Sequence, residues 1–453
     1  MMEELKRDIE RTGLGAEVRA WALLAIAALA VAGVFALLLA LSRTPHVQEL
    51  MPWSWQSFFH KGLITHVIFS FIVWFVAVQG LISTVATAKA APSTGMRLKL
   101  LGPVALAATV LSYALLSAPA LLDRGPPSLN NYVPVLDDPL YYAGVTILFL
   151  GVGLSALRLL LQLLGNKARL DCFAYGTSIA AALYLIALFC LLLTWMQLPI
   201  GLEMPTRNEH LFWGPGHLLQ FCNVALLITG WQLLSNALPE RLFRPLLFSL
   251  IPFSLTGIAF LALHDLPSLA LKQSYTDLLW YGMALQPLIA GLAVARHLLS
   301  QPNRKGTAGW AMMLSLLLFG AGGIMGYFLG PNDTRIPSHY HAVIGGGNLV
   351  FMGLYLTWLL PILERVPKRP RLATASVILY GFGQFAWTAG MFLAGLMGVA
   401  RKTAGAAQGL DSSAKIVSMS IMGAGGVIAV VGGILFVAIV LAALLRKRGP
   451  HGA

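Results

Sequence analysis

The stretch RIPSHYHAVIGGGN, residues 335–348, stands at the mouth of a long apolar run. Two histidines, His339 and His341, flank Tyr340. Imidazoles are costly inside a bilayer, where both ring nitrogens need partners. On an α-helix, positions i and i+2 lie about 200° apart. His339 and His341 therefore face nearly opposite sides of one helix. They are badly placed to share one metal and well placed to hold two, one on each side. A pair of interfacial histidines at a helix end is the plain alternative, and this stretch alone leaves both readings open.

The surrounding composition fixes the solvent. The 453 residues are 57% hydrophobic and 11% charged, with a mean hydropathy of +0.75. A soluble domain carries about 25% charged residues. The composition implies an all-α polytopic membrane protein, with residues 1–453 forming one integral-membrane domain. Apolar runs long enough to cross a bilayer fall at 18–42, 62–88, 98–121, 140–164, 173–198, 211–235, 244–263, 277–299, 308–329, 338–361, 373–399 and 415–445. That predicts about twelve helices. The connections are short and carry Pro, Gly and Asn, as in DRGPPSLNNYVPVLDD and RVPKRPR. No soluble domain, repeat or low-complexity tract stands out. The first apolar run is too long for the core of a cleavable signal and has no clear cleavage site. Cys172, Cys190 and Cys222 form no C-x-x-C pair, which excludes a disulfide framework, a haem c site and a thiolate metal centre. They read as small apolar filler.

The charges order the array. Lys and Arg collect at the N-terminus (Lys6, Arg7, Arg11) and in the even-numbered loops, as at Lys89, Arg97 and Lys99, and at Arg365, Lys368, Arg369 and Arg371. They recur at the C-terminus (Arg446, Lys447, Arg448). The odd loops are neutral or acidic, except around Arg401. By the positive-inside rule both termini are expected in the cytoplasm, in a bacterial inner membrane. The net charge of +13 is then a topology signal and a contact with anionic lipid, not a nucleic-acid surface. His339 and His341 follow the ninth loop and are expected near the outer side.

Ten histidines are present. His46, His60, His210, His297 and His451 sit in loops or at helix ends and read as solvated. His66, His217, His264, His339 and His341 remain, each in the outer part of an apolar run. Five imidazoles in one layer of a bundle are hard to explain as packing. Metal ligation satisfies their nitrogens: imidazole suits iron, copper and zinc, and axial histidine is a standard haem ligand.

The set resembles the catalytic subunit of the haem–copper oxidase superfamily, twelve helices with both termini inside. That family carries a low-spin haem histidine in helix two and an H-x-H in helix ten. The resemblance implies that His66 and His341 clamp a low-spin haem, b-type, and that His339 holds a high-spin haem, also b-type. The stretch NDTRIPSHYHAVIGGG is similar to the family's approach to helix ten. GMFLAGLMGVARK, residues 390–402, is similar to its helix-eleven ending, where basic residues face haem propionates. Arg401 and Lys402 would take that role.

One metal site departs from the pattern. The family's second metal usually has three histidines, one in helix six and an adjacent pair after helix seven. Here His217 supplies the first, and the pair reads His264-Asp265. Asp265 is either a cap of the loop or a metal ligand. A His, His, Asp set favours non-haem iron over copper. Oxygen-reducing members also use a redox tyrosine, often four residues after the helix-six histidine. Here that position is Phe221, and residues 244–263 contain no tyrosine. Nitric oxide reductases of the superfamily lack that tyrosine. The glutamates of better-known nitric oxide reductases are absent too; Gln220 and Asn223 occupy that part of the helix. The implied activity is a dihaem reductase of a small gaseous substrate, nitric oxide before oxygen, resembling a divergent nitric oxide reductase. His217, His264, Asp265 and His339 would form its binuclear centre. Acids in the outer loops, Glu203, Glu209 and Asp333, are candidates for proton entry, with surface solvation the plainer reading of each. The chain encodes no electron-entry centre, so a donor is expected on the outer side: a copper or cytochrome c protein, or quinol. A terminal oxygen reductase, a dihaem electron carrier without a second metal and a twelve-helix transporter are the rivals.

Overall fold

The structure, a computed structural model, describes residues 2–41, 55–91, 98–164, 170–300, 306–330, 332–401, 403 and 408–446. Lys402, His46 and His451 lie outside the described residues. The expected twelve spans are present. They are α1 (Gly15–Leu38), α2 (Phe58–Ala90), α3 (Leu101–Leu121), α4 (Pro139–Leu163), α5 (Cys172–Gln197) and α6 (Met204–Ser235). Then follow α7 (Glu240–Leu263), α8 (Leu269–Ser300), α9 (Thr307–Phe328), α10 (Arg335–Ile362), α11 (Pro370–Leu396) and α12 (Ser413–Leu445). A short amphipathic helix, Met2–Thr12, precedes them.

Helix starts follow the capping rules. Asp138 caps α4, its side chain accepting from Leu140 N, and Pro139 takes the first helical position. Asp171 caps α5 and Ser412 caps α12 in the same way. Two helices begin about two turns earlier than hydropathy predicts. α6 starts at Met204 rather than 211, and α8 at Leu269 rather than 277. Hydropathy reports apolar thickness, whereas the helices run on through polar turns that carry Arg207, Glu209 and His210 on α6 and Lys272, Ser274 and Tyr275 on α8. Ser268, accepting from Leu271 N at 3.1 Å, sets the start of α8.

The chain forms two compact units, residues 1–229 with 240–286, and residues 230–239 with 287–453. In the first unit α2 is central, packed by α1, α4, α5 and the N-terminal helix. Its residues 74–88 are buried throughout. Hydroxyls along this stretch bond back to carbonyls four residues earlier, Thr84 to Gly80 at 2.9 Å and Thr87 to Ser83 at 2.7 Å, which satisfies them away from water. A buried ion pair joins Arg158 of α4 to Glu17 of α1, Nη1 to Oε2 at 3.0 Å. Such a pair persists in an apolar interior only because each charge has its partner. The N-terminal helix buries Leu5 and Ile9, and its Arg11 donates to the Ala91 carbonyl at the end of α2, at 2.9 Å.

In the second unit α10 lies between α9 and α11 and is mostly buried. The tightest pair is α11 with α12. Gly383 and Gly390 on one helix and Gly425 and Gly432 on the other each meet the partner's backbone, with no room for a Cβ. Small residues allow this close approach, and in lipid packing replaces the hydrophobic effect as the drive for helix association.

Candidate haem and metal centre

In the first unit, His66 lies about two turns into α2. Its Nδ1 donates to the Ala32 carbonyl of α1 at 2.9 Å. A widened π-helical turn, Ile68–Val73, follows at once, and Ser70 Oγ donates to the His66 carbonyl at 2.8 Å. Such turns are common at functional sites because they shift helix register locally. His217, 2% exposed, donates from Nδ1 to the Trp213 carbonyl at 2.7 Å. Three aromatic rings surround it: Tyr132 at 4.7 Å, Trp213 at 4.8 Å and Tyr275 at 5.7 Å between centroids.

His264 stands just past α7 with Nε2 3.2 Å from Ser274 Oγ, and its ring is 6.3 Å from Phe260. Asp265 is exposed in the loop that follows. Its carbonyl accepts from Ser268 N at 3.1 Å, but its carboxylate makes no hydrogen bond or ion pair among the described residues. Asp265 is therefore not a cap; Ser268 caps α8 instead. Nor are His217, His264 and Asp265 gathered: among the described residues no three His, Cys, Asp or Glu side chains stand close enough to hold one ion. Phe260 and Tyr275, 5.6 Å apart, form an aromatic link from His264 to His217.

In the second unit the two histidines of α10 face opposite ways, as their spacing requires. His339 donates from Nδ1 to the Gly322 carbonyl of α9 at 2.7 Å. His341 faces α11, its ring 4.0 Å from Trp387. The approach to α10 is pinned to the end of α11. Thr334 N donates to the Val399 carbonyl at 3.0 Å, and Thr334 Oγ1 to the Met391 carbonyl at 2.8 Å. Arg335 grips Asp333 with Nε at 3.0 Å and Nη2 at 2.7 Å. That hydrogen-bonded guanidinium holds the Asp333 carboxyl below the usual carboxylate range. Arg401 donates from Nε to Asn332 Oδ1 at 3.0 Å, so it stands beside the start of α10. Of the other outer acids, Glu203 is exposed, whereas Glu209 accepts from Asn131 N at 3.0 Å and Nδ2 at 2.7 Å.

These donors fit metal and haem ligation. A backbone carbonyl only accepts, so Nδ1 carries the proton in His66, His217 and His339, and Nε2 is left with the lone pair that a metal ligand needs. This is the orienting contact that ligating histidines usually show. His264 differs, since its Nε2 faces a hydroxyl.

Two tyrosines escaped the sequence reading, which looked at position 221 and along 244–263. Phe221 is fully buried, and Tyr275 and Tyr132 reach His217 from elsewhere. Tyr275 comes from the polar first turns of α8; its hydroxyl donates to the Gly257 carbonyl at 2.8 Å and lies 3.5 Å from Cys190 Sγ. Cys190 is thus more than filler. Tyr132 comes from the loop before α4. The sequence signals close neighbours here, through Gly214-Pro215-Gly216 directly before His217, but not which residues they are. A Cβ on Gly214 would stand 2.6 Å from Tyr275, and one on Gly216 would overlap the Tyr132 ring. Glycine costs a helix about 1 kcal/mol against alanine, so two in one turn ask for a close neighbour.

The chain matches the family described as cytochrome c and quinol oxidase polypeptide I over residues 17–435. It is 29% identical to an uncharacterized protein of Aquifex aeolicus (strain VF5) over 373 residues, covering 80% of this chain and 90% of that protein. An uncharacterized protein of Rickettsia prowazekii (strain Madrid E) is 24% identical over 491 residues, covering 92% and 94%. The solved structure of a heme-copper terminal oxidase dimer shares the fold with a TM-score of 0.69 at 18% identity, covering 99% of this chain and 85% of that one. The chain belongs to the cytochrome c and quinol oxidase polypeptide I family, the catalytic subunits of the haem–copper superfamily. It is a membrane-integral oxidoreductase of a kind that uses haem and a binuclear metal centre.

Proposed function

We propose that the chain acts as one catalytic unit that reduces nitric oxide, 2 NO + 2 e⁻ + 2 H⁺ → N₂O + H₂O. The observation that carries this reading is Asp265: a carboxylate stands where the family pattern has a third imidazole, and among the described residues it makes no hydrogen bond or ion pair. With His217 and His264 it offers a hard oxygen donor suited to ferrous iron. His66 and His341 are the proposed low-spin haem ligands, His339 the high-spin one, with Arg401 and Lys402 toward the propionates. When bound, the two haems, b-type in this reading, and the second metal supply the electron-transfer and substrate-binding chemistry. The protein's part is to fix imidazole direction through the three Nδ1 contacts and to let the unpartnered Asp265 swing toward His264. Electrons come from a donor on the outer face, a copper or cytochrome c protein or quinol, in a bacterial inner membrane.

Tyr275 favours a second reading. A buried phenol beside His217 removes the sequence argument against oxygen reduction, and a terminal oxygen reductase would use such a group. Turnover of the purified protein on NO and on O₂, with iron and copper counted per chain, separates the two. Iron in excess of two haems with NO turnover is expected. Copper with fast O₂ consumption would reverse the order.

A further inference from the structure

The loop between α3 and α4 carries a short hairpin, β1 (Pro127–Ser128) paired antiparallel with β2 (Val135–Leu136). At its tip Tyr132 adopts φ +60°, left-handed backbone that a bulky side chain avoids. Strain of this kind persists only when the surroundings over-determine it. Here they do. Glu209 of α6 accepts from Asn131 N and Nδ2, and Asn130 Nδ2 donates to the Pro205 carbonyl at 2.8 Å. So the first two turns of α6, at Pro205 and Glu209, grip the hairpin tip, and the tip delivers one aromatic ring onto His217 about two turns further on. Gly216 leaves the space that this ring fills.

We infer that Tyr132 is a positioning residue: the hairpin, latched by Glu209, fixes the plane of the His217 imidazole opposite Trp213, so that Nε2 is aimed before any metal arrives. The contact is ring against ring, and the phenol hydroxyl plays no part in it. This inference rests on His217 being a ligand of the second metal. Loss of an orienting group beside a metal ligand typically weakens metal binding about 10–100-fold.

The test uses the full-length, haem-loaded protein in detergent. Non-haem metal per haem is measured against graded chelator for Tyr132→Phe, Tyr132→Leu, Gly216→Ala and Glu209→Gln. Hydrogen exchange of the hairpin amides is followed alongside, and His217→Ala serves as reference. Tyr132→Leu and Gly216→Ala should weaken metal binding about 10–100-fold with both haem bands unchanged. Tyr132→Phe should bind like the parent. Glu209→Gln keeps Tyr132 but loses an acceptor, so it should speed hairpin exchange and weaken the metal in the same direction. Metal affinity unmoved in Tyr132→Leu and in Glu209→Gln, with exchange faster, would reduce the hairpin to a surface turn and overturn the inference. Equal losses in Tyr132→Phe and Tyr132→Leu would overturn it too. If Tyr132→Leu loses its haem bands through misfolding, Glu209→Gln decides alone. Retention of the metal in His217→Ala would overturn the ligand assignment itself, a separate failure.

Discussion

A histidine whose Nδ1 donates to a main-chain carbonyl has one tautomer and one direction left for Nε2. His66, His217 and His339 share this arrangement, through Ala32, Trp213 and Gly322. Because His339 faces α9 and His341 faces α11, the two are separable by mutation. His66→Ala or His341→Ala should abolish the low-spin haem band, and His339→Ala should spare it. An optical spectrum in which His339→Ala loses that band while His341→Ala keeps it would reverse the assignment. Asp265 makes a second residue-scale prediction. Asp265→Asn keeps size but removes charge, so second-metal occupancy and NO turnover should fall steeply while both haems stay. No stabilising contact is lost with the carboxylate, so the melting temperature should hardly move. Full metal occupancy at normal turnover would remove Asp265 from the centre.

At the scale of elements, the turn from α9 into α10 depends on Asp333. Its carboxyl is held below its ordinary value by Arg335, so the pair contributes stability above about pH 4, where an unfolded aspartate is ionised. That contribution is lost as pH falls through the lower, folded value. The gap in melting temperature between the parent and Asp333→Asn should therefore be constant near neutrality and close as the pH drops below 4. A gap that widens in acid would contradict the ion pair. Legibility in the sequence divides at this scale too. Twelve apolar runs and the opposed faces of His339 and His341 were readable, because span length and helical angle are set by local chemistry. The place of Tyr275 was not, since it lies in polar turns that hydropathy treats as loop. Tyr132 was out of reach for another reason: a hairpin tip is aimed by tertiary contacts with Glu209 and Pro205, not by its own neighbours. The isolation of the Asp265 carboxylate is likewise a tertiary fact.

For the whole molecule, loop charge makes a plain statement. Reporter fusions at both termini should read as cytoplasmic; an external C-terminus with a cytoplasmic N-terminus would mean an odd number of crossings and would contradict the loop-charge reading. The N-terminal helix fits a termini-inside arrangement, because Arg11 joins the Ala91 carbonyl beside Lys89, itself paired with Glu4 and Asp171. These basic and acidic groups gather where α2 ends and α5 begins.

The glycine-notched seam between α11 and α12 bears on how the protein is made. α12 begins at Ser413 and leaves the ribosome after α11, whose Gly383 and Gly390 have already shaped a groove for it. Until α12 is made, that groove faces lipid tails, which fit backbone poorly. Insertion of α12 therefore marks the moment at which the seam of the second unit closes. A messenger truncated before codon 413 would yield a product with an open seam in the bilayer, a natural target for membrane quality control.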